Sequence, residues 1–140
     1  MELGKTLAYK GVMVSGVPNL ASVFGYINAS WTLKADLICN YVCRLLNLMD
    51  RKRARQVTPR NREEGAVAPF VEKFSSGYVQ RAITTWPKQG AKSPWRVYQN
   101  YLRDVWSLKW SPVDNEALEF SSPAEAPSRP ASEAARHQMA

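Results

Sequence analysis

Gly11 to Met49, GVMVSGVPNLASVFGYINASWTLKADLICNYVCRLLNLM, is the stretch whose reading decides the fold. Val12-Met13-Val14 is continuously apolar between Gly11 and Ser15-Gly16, the pattern of a short strand buried on both faces. Val17-Pro18-Asn19 reads as a turn, because proline fixes φ and asparagine tolerates turn geometry. Leu20 to Phe24 is a second apolar run, read as a second strand ending at Gly25. A long amphipathic helix then opens near Asn28 or Ser30, either of which can cap it by accepting a bond from a first-turn N–H. Leu37, Ile38, Tyr41, Val42, Leu45 and Met49 recur on one apolar face, which leaves Lys34, Asn40, Arg44 and Asn47 largely on the other. A strand handed to a helix through glycine and Asn/Ser aims free N–H groups and the positive end of the helix dipole outward, a common construction for a phosphate or cofactor.

Outward from that unit the chain becomes less regular. Residues 1–10 are a polar lead-in with Leu3, Leu7 and Tyr9 as packing groups. Residues 51–69 are polar, basic and proline-containing, which predicts a flexible connector. In the section 70–120, Phe70–Phe74, read as a short strand or an anchoring segment, precedes a helix capped by Ser75 or Ser76. That helix carries Tyr78, Val79, Ala82, Ile83 and Trp86 and is stopped by Pro87. Trp95 to Leu108 reads as a further helix with Tyr98, Tyr101, Leu102 and Val105 inward. From Ser121 the Pro/Ala/Ser/Glu composition has no means of burying a face, so 121–140 is expected to be a disordered tail.

At 140 residues, with 45% hydrophobic and 11% aromatic side chains, the chain supports one core. Its formal charge of +7 is concentrated in one run, Arg51, Lys52, Arg53, Arg55, Arg60 and Arg62. The run ends in Thr58-Pro59-Arg60-Asn61, which is loop chemistry, and it is not interleaved with stacking aromatics. A solvated connector is the better reading, and no nucleic acid is expected. The alternative is a small basic interaction protein that binds nucleic acid or anionic surfaces through Arg51–Arg62.

Cys39 and Cys43 lie four apart on one helix, poor geometry for a disulfide and too few ligands for zinc, so they read as two small buried apolar residues. No segment has the apolar length of a membrane span or a signal peptide, and a cytoplasmic location is expected. Among the seven glycines there is neither Gly-x-Gly-x-x-Gly nor a nucleotide-loop lysine. The one histidine, His137, lies in the tail, so no catalytic triad is available and no catalytic residue is assigned. The five tryptophans and six tyrosines mostly keep helical spacing with aliphatic partners, which argues packing over base stacking.

Several ordered motifs carry a resemblance. Tyr9-Lys-Gly-Val-Met-Val-Ser-Gly-Val-Pro-Asn-Leu20 and Gly25-Tyr-Ile-Asn-Ala-Ser-Trp-Thr-Leu-Lys-Ala-Asp36 resemble the C-terminal part of class B flavoprotein monooxygenases. Ser76-Gly-Tyr-Val-Gln-Arg81, Pro87-Lys-Gln-Gly90 and Pro94-Trp-Arg-Val-Tyr-Gln-Asn-Tyr-Leu-Arg-Asp104 follow in the same order. The chain is most similar to the Baeyer–Villiger branch that includes the ethionamide-activating enzymes. The resemblance implies an α/β fold in which residues 1–50 are the terminal strand-strand-helix unit of an FAD-binding dinucleotide domain, with 70–120 a mainly helical cap. It implies FAD and NADPH as cofactors, a small organic substrate and molecular oxygen. It also implies that Gly25, Tyr26, Asn28, Ala29, Ser30 and Trp31 are the turn and helix start that meet the flavin.

Missing from the chain are the family's two dinucleotide-binding glycine motifs and its Phe-x-Gly-x-x-x-His-x-x-x-Trp-Pro signature. Thr85-Trp86-Pro87 matches only the end of that signature and reads as coincidence. The expectation is therefore a fragment that is inactive alone and needs the remainder of a monooxygenase chain or a partner subunit. A purely structural remnant with an incomplete core is the third reading.

Overall fold

The computed structural model describes residues 3–27, 29–62, 67–70, 77 and 85–122. A one-turn 3-10 helix, Leu3–Lys5, leads into a hairpin of β1 (Ala8–Tyr9) and β2 (Met13–Val14), paired Ala8↔Val14 and Tyr9↔Met13. The turn between them is set by Lys10 and Gly11, both at positive φ (51° and 67°), and closed by the Val12 N–H donating to the Tyr9 carbonyl at 2.9 Å. Two consecutive residues in the left-handed region match the twist of the flanking strands.

Leu20–Phe24 does not form the second strand that its apolar run predicts. Only Ala21 makes a bridge, to Met13, and Leu20 and Val23 are exposed. The reason lies in Asn19 (φ 53°), whose backbone and side chain are both engaged by β3 (Gln56–Pro59). Its N–H donates to the Val57 carbonyl at 3.0 Å, its Oδ1 accepts from Val57 N–H, and its Nδ2 donates to the Arg55 carbonyl. The chain is thus turned toward a partner some forty residues away instead of continuing along β2.

The long helix, α1, runs Trp31–Lys52. It buries Leu37, Ile38, Tyr41, Leu45, Leu48 and Met49 against Tyr9, Val12, Met13, Val57, Trp95, Leu108, Val113 and Leu118. Each such apolar side chain contributes on the order of 2 kcal/mol by leaving water. The helix ends at Arg53, a left-handed cap (φ 53°) that donates to the Asp50 carbonyl at 3.0 Å, while Ala54 N–H reaches Met49.

Within the stretch read as a flexible connector, β3 is ordered. It pairs antiparallel with β6 (Leu118–Ser121) from Gln56↔Ser121 to Pro59↔Leu118, and Val57, Thr58 and Pro59 are buried. Between them, β4 (Val67–Pro69) pairs antiparallel with β5 (Lys88–Gly90). The helix expected over Trp95–Leu108 begins later, as α2 (Tyr101–Asp104), and runs on as a π-helical turn, Val105–Trp110. Trp95 to Gln99 are held out of it by bonds to β5: Gly90 N–H donates to the Trp95 carbonyl (2.8 Å) and Val97 N–H to Gln89 Oε1 (3.0 Å). Asn100 caps α2 by accepting from Arg103 N–H. Tyr101 and Leu102, expected inward, are exposed, and Asp104 and Leu108 are buried in their place.

The anchoring segment after Phe70, the helix expected to follow Ser75 and the tail from residue 123 lie outside the described residues.

Candidate functional site

Five of the six residues implied to meet a flavin are described, and they form one turn leading into α1; Asn28 lies outside the described residues. Ser30 is the N-cap residue, but its side chain makes no capping bond. Its hydroxyl instead shares a 2.8 Å bond with the Thr32 hydroxyl, and the first turn of α1 holds no acidic residue. Ala29, Ser30 and Trp31 are exposed. Among the described residues, no side chain caps or compensates the positive end that this 22-residue helix carries at Trp31. That donor set fits the hydrogen-bond-accepting, negatively charged edge of a reduced flavin.

Gly25 is buried for a different reason than close approach to a cofactor. A Cβ built on it would overlap the indole of Trp31. The flat ring over this glycine is the chain's own, and the contact clasps the start of the turn to the start of the helix.

Tyr26 is buried and points inward. Its hydroxyl donates to Asp104 Oδ2 at 2.7 Å. The same oxygen accepts from Lys34 Nζ at 3.2 Å, and Lys34 also donates to the Tyr98 carbonyl at 2.8 Å while lying 5.1 Å from the centre of the Tyr26 ring. Tyr26, Lys34 and Asp104 are 4%, 1% and 3% exposed, so this is a buried ion pair with a phenol attached. Burial pushes the Asp104 carboxyl up, opposed by Lys34 and by the Tyr26 hydrogen bond. Burial pushes the Tyr26 hydroxyl up as well, reinforced by Asp104, so the phenol stays a donor. One residue on, the Ile27 N–H donates to Gln99 Oε1 at 3.3 Å.

Helical periodicity assigns Lys34 to the solvent side, and the structure reverses that. Arg44, assigned the same way, reaches back to donate to the carbonyls of Leu108, Lys109 and Ser111 at 2.6–2.9 Å. Cys39 and Cys43, expected inside, are exposed because they flank the buried stripe of α1. Asp104 carries no sequence signal of its own beyond lying in a resembling motif.

An open cleft of about 920 Å³ lies elsewhere, lined by Lys10, Trp95, Tyr98, Leu102, Arg103 and Trp106 among others, and none of the residues 25–31 borders it. The basic run is divided between elements. Lys52, at the end of α1, pairs with Asp114 at 2.7 Å, and Arg60, past β3, pairs with Glu119 at 3.0 Å. Two members of the run are thus neutralised by ion pairs, which does not favour a nucleic-acid surface. Among the described residues no helix is long and apolar enough to cross a membrane.

The relatives of the chain are flavoproteins. It is similar over 122 residues to the FAD-containing monooxygenases EthA of Mycolicibacterium smegmatis (46% identical) and Mycobacterium tuberculosis (48% identical), with 86% of this chain and 25% of each relative covered. The probable FAD-binding monooxygenase AlmA of Acinetobacter baylyi is 45% identical over 121 residues, 86% of this chain and 24% of that protein. The resemblance carried by the motifs thus holds over most of the chain, which is related to FAD-containing monooxygenases and spans about a quarter of their length. A matched span of that size takes in both the Gly25–Trp31 turn and Asp104 wherever it starts. No family model matches the chain, and no solved structure does.

Proposed function

We propose that this chain supplies the flavin-facing wall of an FAD- and NADPH-dependent monooxygenase that oxygenates a ketone or a heteroatom. Similarity to FAD-containing monooxygenases across the turn and the start of α1 carries this reading. When bound, FAD supplies the oxygen chemistry, and the chain's part is to hold and polarise it. The N–H groups at Ser30, Trp31 and Thr32 would bond the polar edge of the ring, and the helix dipole would favour negative charge there. Trp31, half exposed beside those donors, would shield the ring from water.

The remaining three-quarters of a relative's length, in the same chain or in a partner subunit, would hold the ADP half of FAD and the NADPH. The strand expected at Leu20–Phe24 would form once the neighbouring strands of that domain are present. Alone the chain would be inactive.

Two experiments test this. FAD titrated into the purified chain is expected to show little quenching of flavin fluorescence; tight, stoichiometric binding would contradict the dependence on a remainder. Substituting this chain for the matching quarter of the M. smegmatis monooxygenase is expected to give a yellow protein with NADPH-dependent oxygen uptake. A chimera that is folded but colourless would sink the flavin assignment.

A further inference from the structure

We propose that Lys34, Asp104 and Tyr26 form a positioning cluster that fixes the Gly25–Trp31 turn and the first turn of α1 against the flavin. In this arrangement Lys34 and Asp104 act on the cofactor without touching it. The inference rests on the flavin reading above and adds to it two residues, from two different helices.

Stability does not account for the cluster. Removing a carboxylate and an ammonium from water costs several kcal/mol per ion, and apolar side chains of equal volume commonly do as well or better. What an ion pair supplies is direction. Asp104 Oδ2 accepts from the Tyr26 hydroxyl and from Lys34 at once, so moving either partner breaks a bond inside a dry core. The partners join distant parts of the chain. Tyr26 lies in the middle of the turn, Lys34 in the first turn of α1, and Asp104 at the end of α2.

The neighbouring contacts converge on the same few residues. The Trp31 indole closes over Gly25, Ile27 N–H is held by Gln99, and Lys34 is additionally fixed by the Tyr98 carbonyl. The Trp31 contact clasps the turn to the helix start, and the other two lead from there to the segment 98–104. The geometry makes that segment the base on which the flavin-facing turn is mounted.

The charges matter as well as the shape. Asp104 lies close to the first turn of α1, and a bare carboxylate there would oppose the helix dipole that favours a negatively charged ring. Lys34 cancels it, which leaves the potential at the helix start to the N–H groups. Removing one charge or the other therefore has opposite consequences for the cofactor.

The test has two parts. In the 140-residue chain itself, Asp104→Asn and Tyr26→Phe are expected to speed amide hydrogen exchange over residues 26–35 by about tenfold or more, with the β3–β6 amides unchanged. Equal protection in parent and variants would overturn the anchoring. In the chimera described above, Asp104→Asn leaves the ammonium unbalanced and is expected to raise the midpoint potential of bound FAD. Lys34→Met, which removes the cation facing the carboxylate, is expected to lower it.

Shifts in the same direction, or none, would mean a merely structural bolt and overturn the proposal, since disorder alone cannot give opposite signs. If Asp104→Asn fails to fold, Tyr26→Phe keeps the ion pair and is expected to weaken FAD binding about tenfold in a chimera that still folds cooperatively. A parent chimera without FAD refutes the flavin reading and this inference with it, a result separable from any effect of the variants.

Discussion

Lys10 shows how one residue can tie pH to stability. It is nearly buried, and its ammonium donates to the Ser107 carbonyl at 2.7 Å and the Ser111 hydroxyl at 2.9 Å, with Arg44 on the neighbouring carbonyls. Both cations face the last carbonyls of the 101–110 helical segment, where the dipole is negative. Burial, with Arg44 adding to it, still lowers the Lys10 pKa from 10.5 to about 8. A depressed amine is a cost that the folded state carries at neutral pH, and that cost is relieved as the amine deprotonates. Stability is therefore expected to rise between pH 8 and about 10, by at most on the order of 3 kcal/mol. Above that range the buried hydroxyls of Tyr9 and Tyr41, whose pKa values are raised, act in the opposite sense. Urea unfolding across this range measures the slope, and Lys10→Met should abolish it. A parent whose stability is flat or falls from pH 8 to 10 would refute the assignment.

Asn19 makes a complementary case, in which a turn residue does the work of a strand. Its side chain occupies both bonding positions offered by Arg55 and Val57 at the free edge of β3. Asn19→Ala is expected to cost about 1–3 kcal/mol, read from chemical denaturation, because two backbone groups lose partners. A loss within the error of the measurement would show that water replaces the amide.

At the scale of elements, α1 is legible in the sequence because the apolar stripe from Leu37 to Met49, nearly four turns long, is a strong signal. Its C-terminus holds a defect: the left-handed cap is Arg53, where glycine would adopt the same φ without strain. Arg53→Gly is expected to stabilise the chain by about 1 kcal/mol, seen as a raised melting temperature. A lowered one would mean that Arg53 contributes more through its side chain than its backbone costs.

The misread elements share one physical cause. Strand β3 is specified by pairing with residues sixty positions away, and Trp95–Gln99 are kept out of a helix by β5 and Gln89, so in both places tertiary bonds override local preference. Lys34 was invisible for another reason. An apolar stripe passes over a charged side chain, yet Lys34 stands three, four and seven positions before Leu37, Ile38 and Tyr41, on the buried face itself. A charge at an inward register was the available signal for the cluster with Asp104, and its partner could not be read without the fold. The turn from Gly25 to Trp31 was legible through its motif, whereas the closing of Trp31 over Gly25 was not.

At the scale of the whole molecule, the exposed apolar residues are too many for one isolated chain. Leu102, Trp106 and Trp110 are 65–78% exposed in one helical segment, Trp31 and Leu33 are open at the start of α1, and Leu20 and Val23 are exposed as well. Scattered exposure of this kind is ordinary, but large side chains gathered along a helix and around its neighbour's end mark a surface that something else covers. A chain that matches a quarter of its relatives' length has an evident candidate, the other three-quarters. Without that cover the same side chains should find one another. The chain alone is expected to self-associate with concentration and to bind a hydrophobic dye, and Leu102→Lys with Trp106→Lys should reduce both while leaving α1 helicity intact. If the remainder covers this face, the same two changes in the chimera should instead weaken assembly and flavin retention. Sedimentation velocity over two decades of concentration decides the first point. A parent chain that stays monomeric and dye-free would show that this face needs no cover, and the case for a docked remainder would then rest on sequence similarity alone.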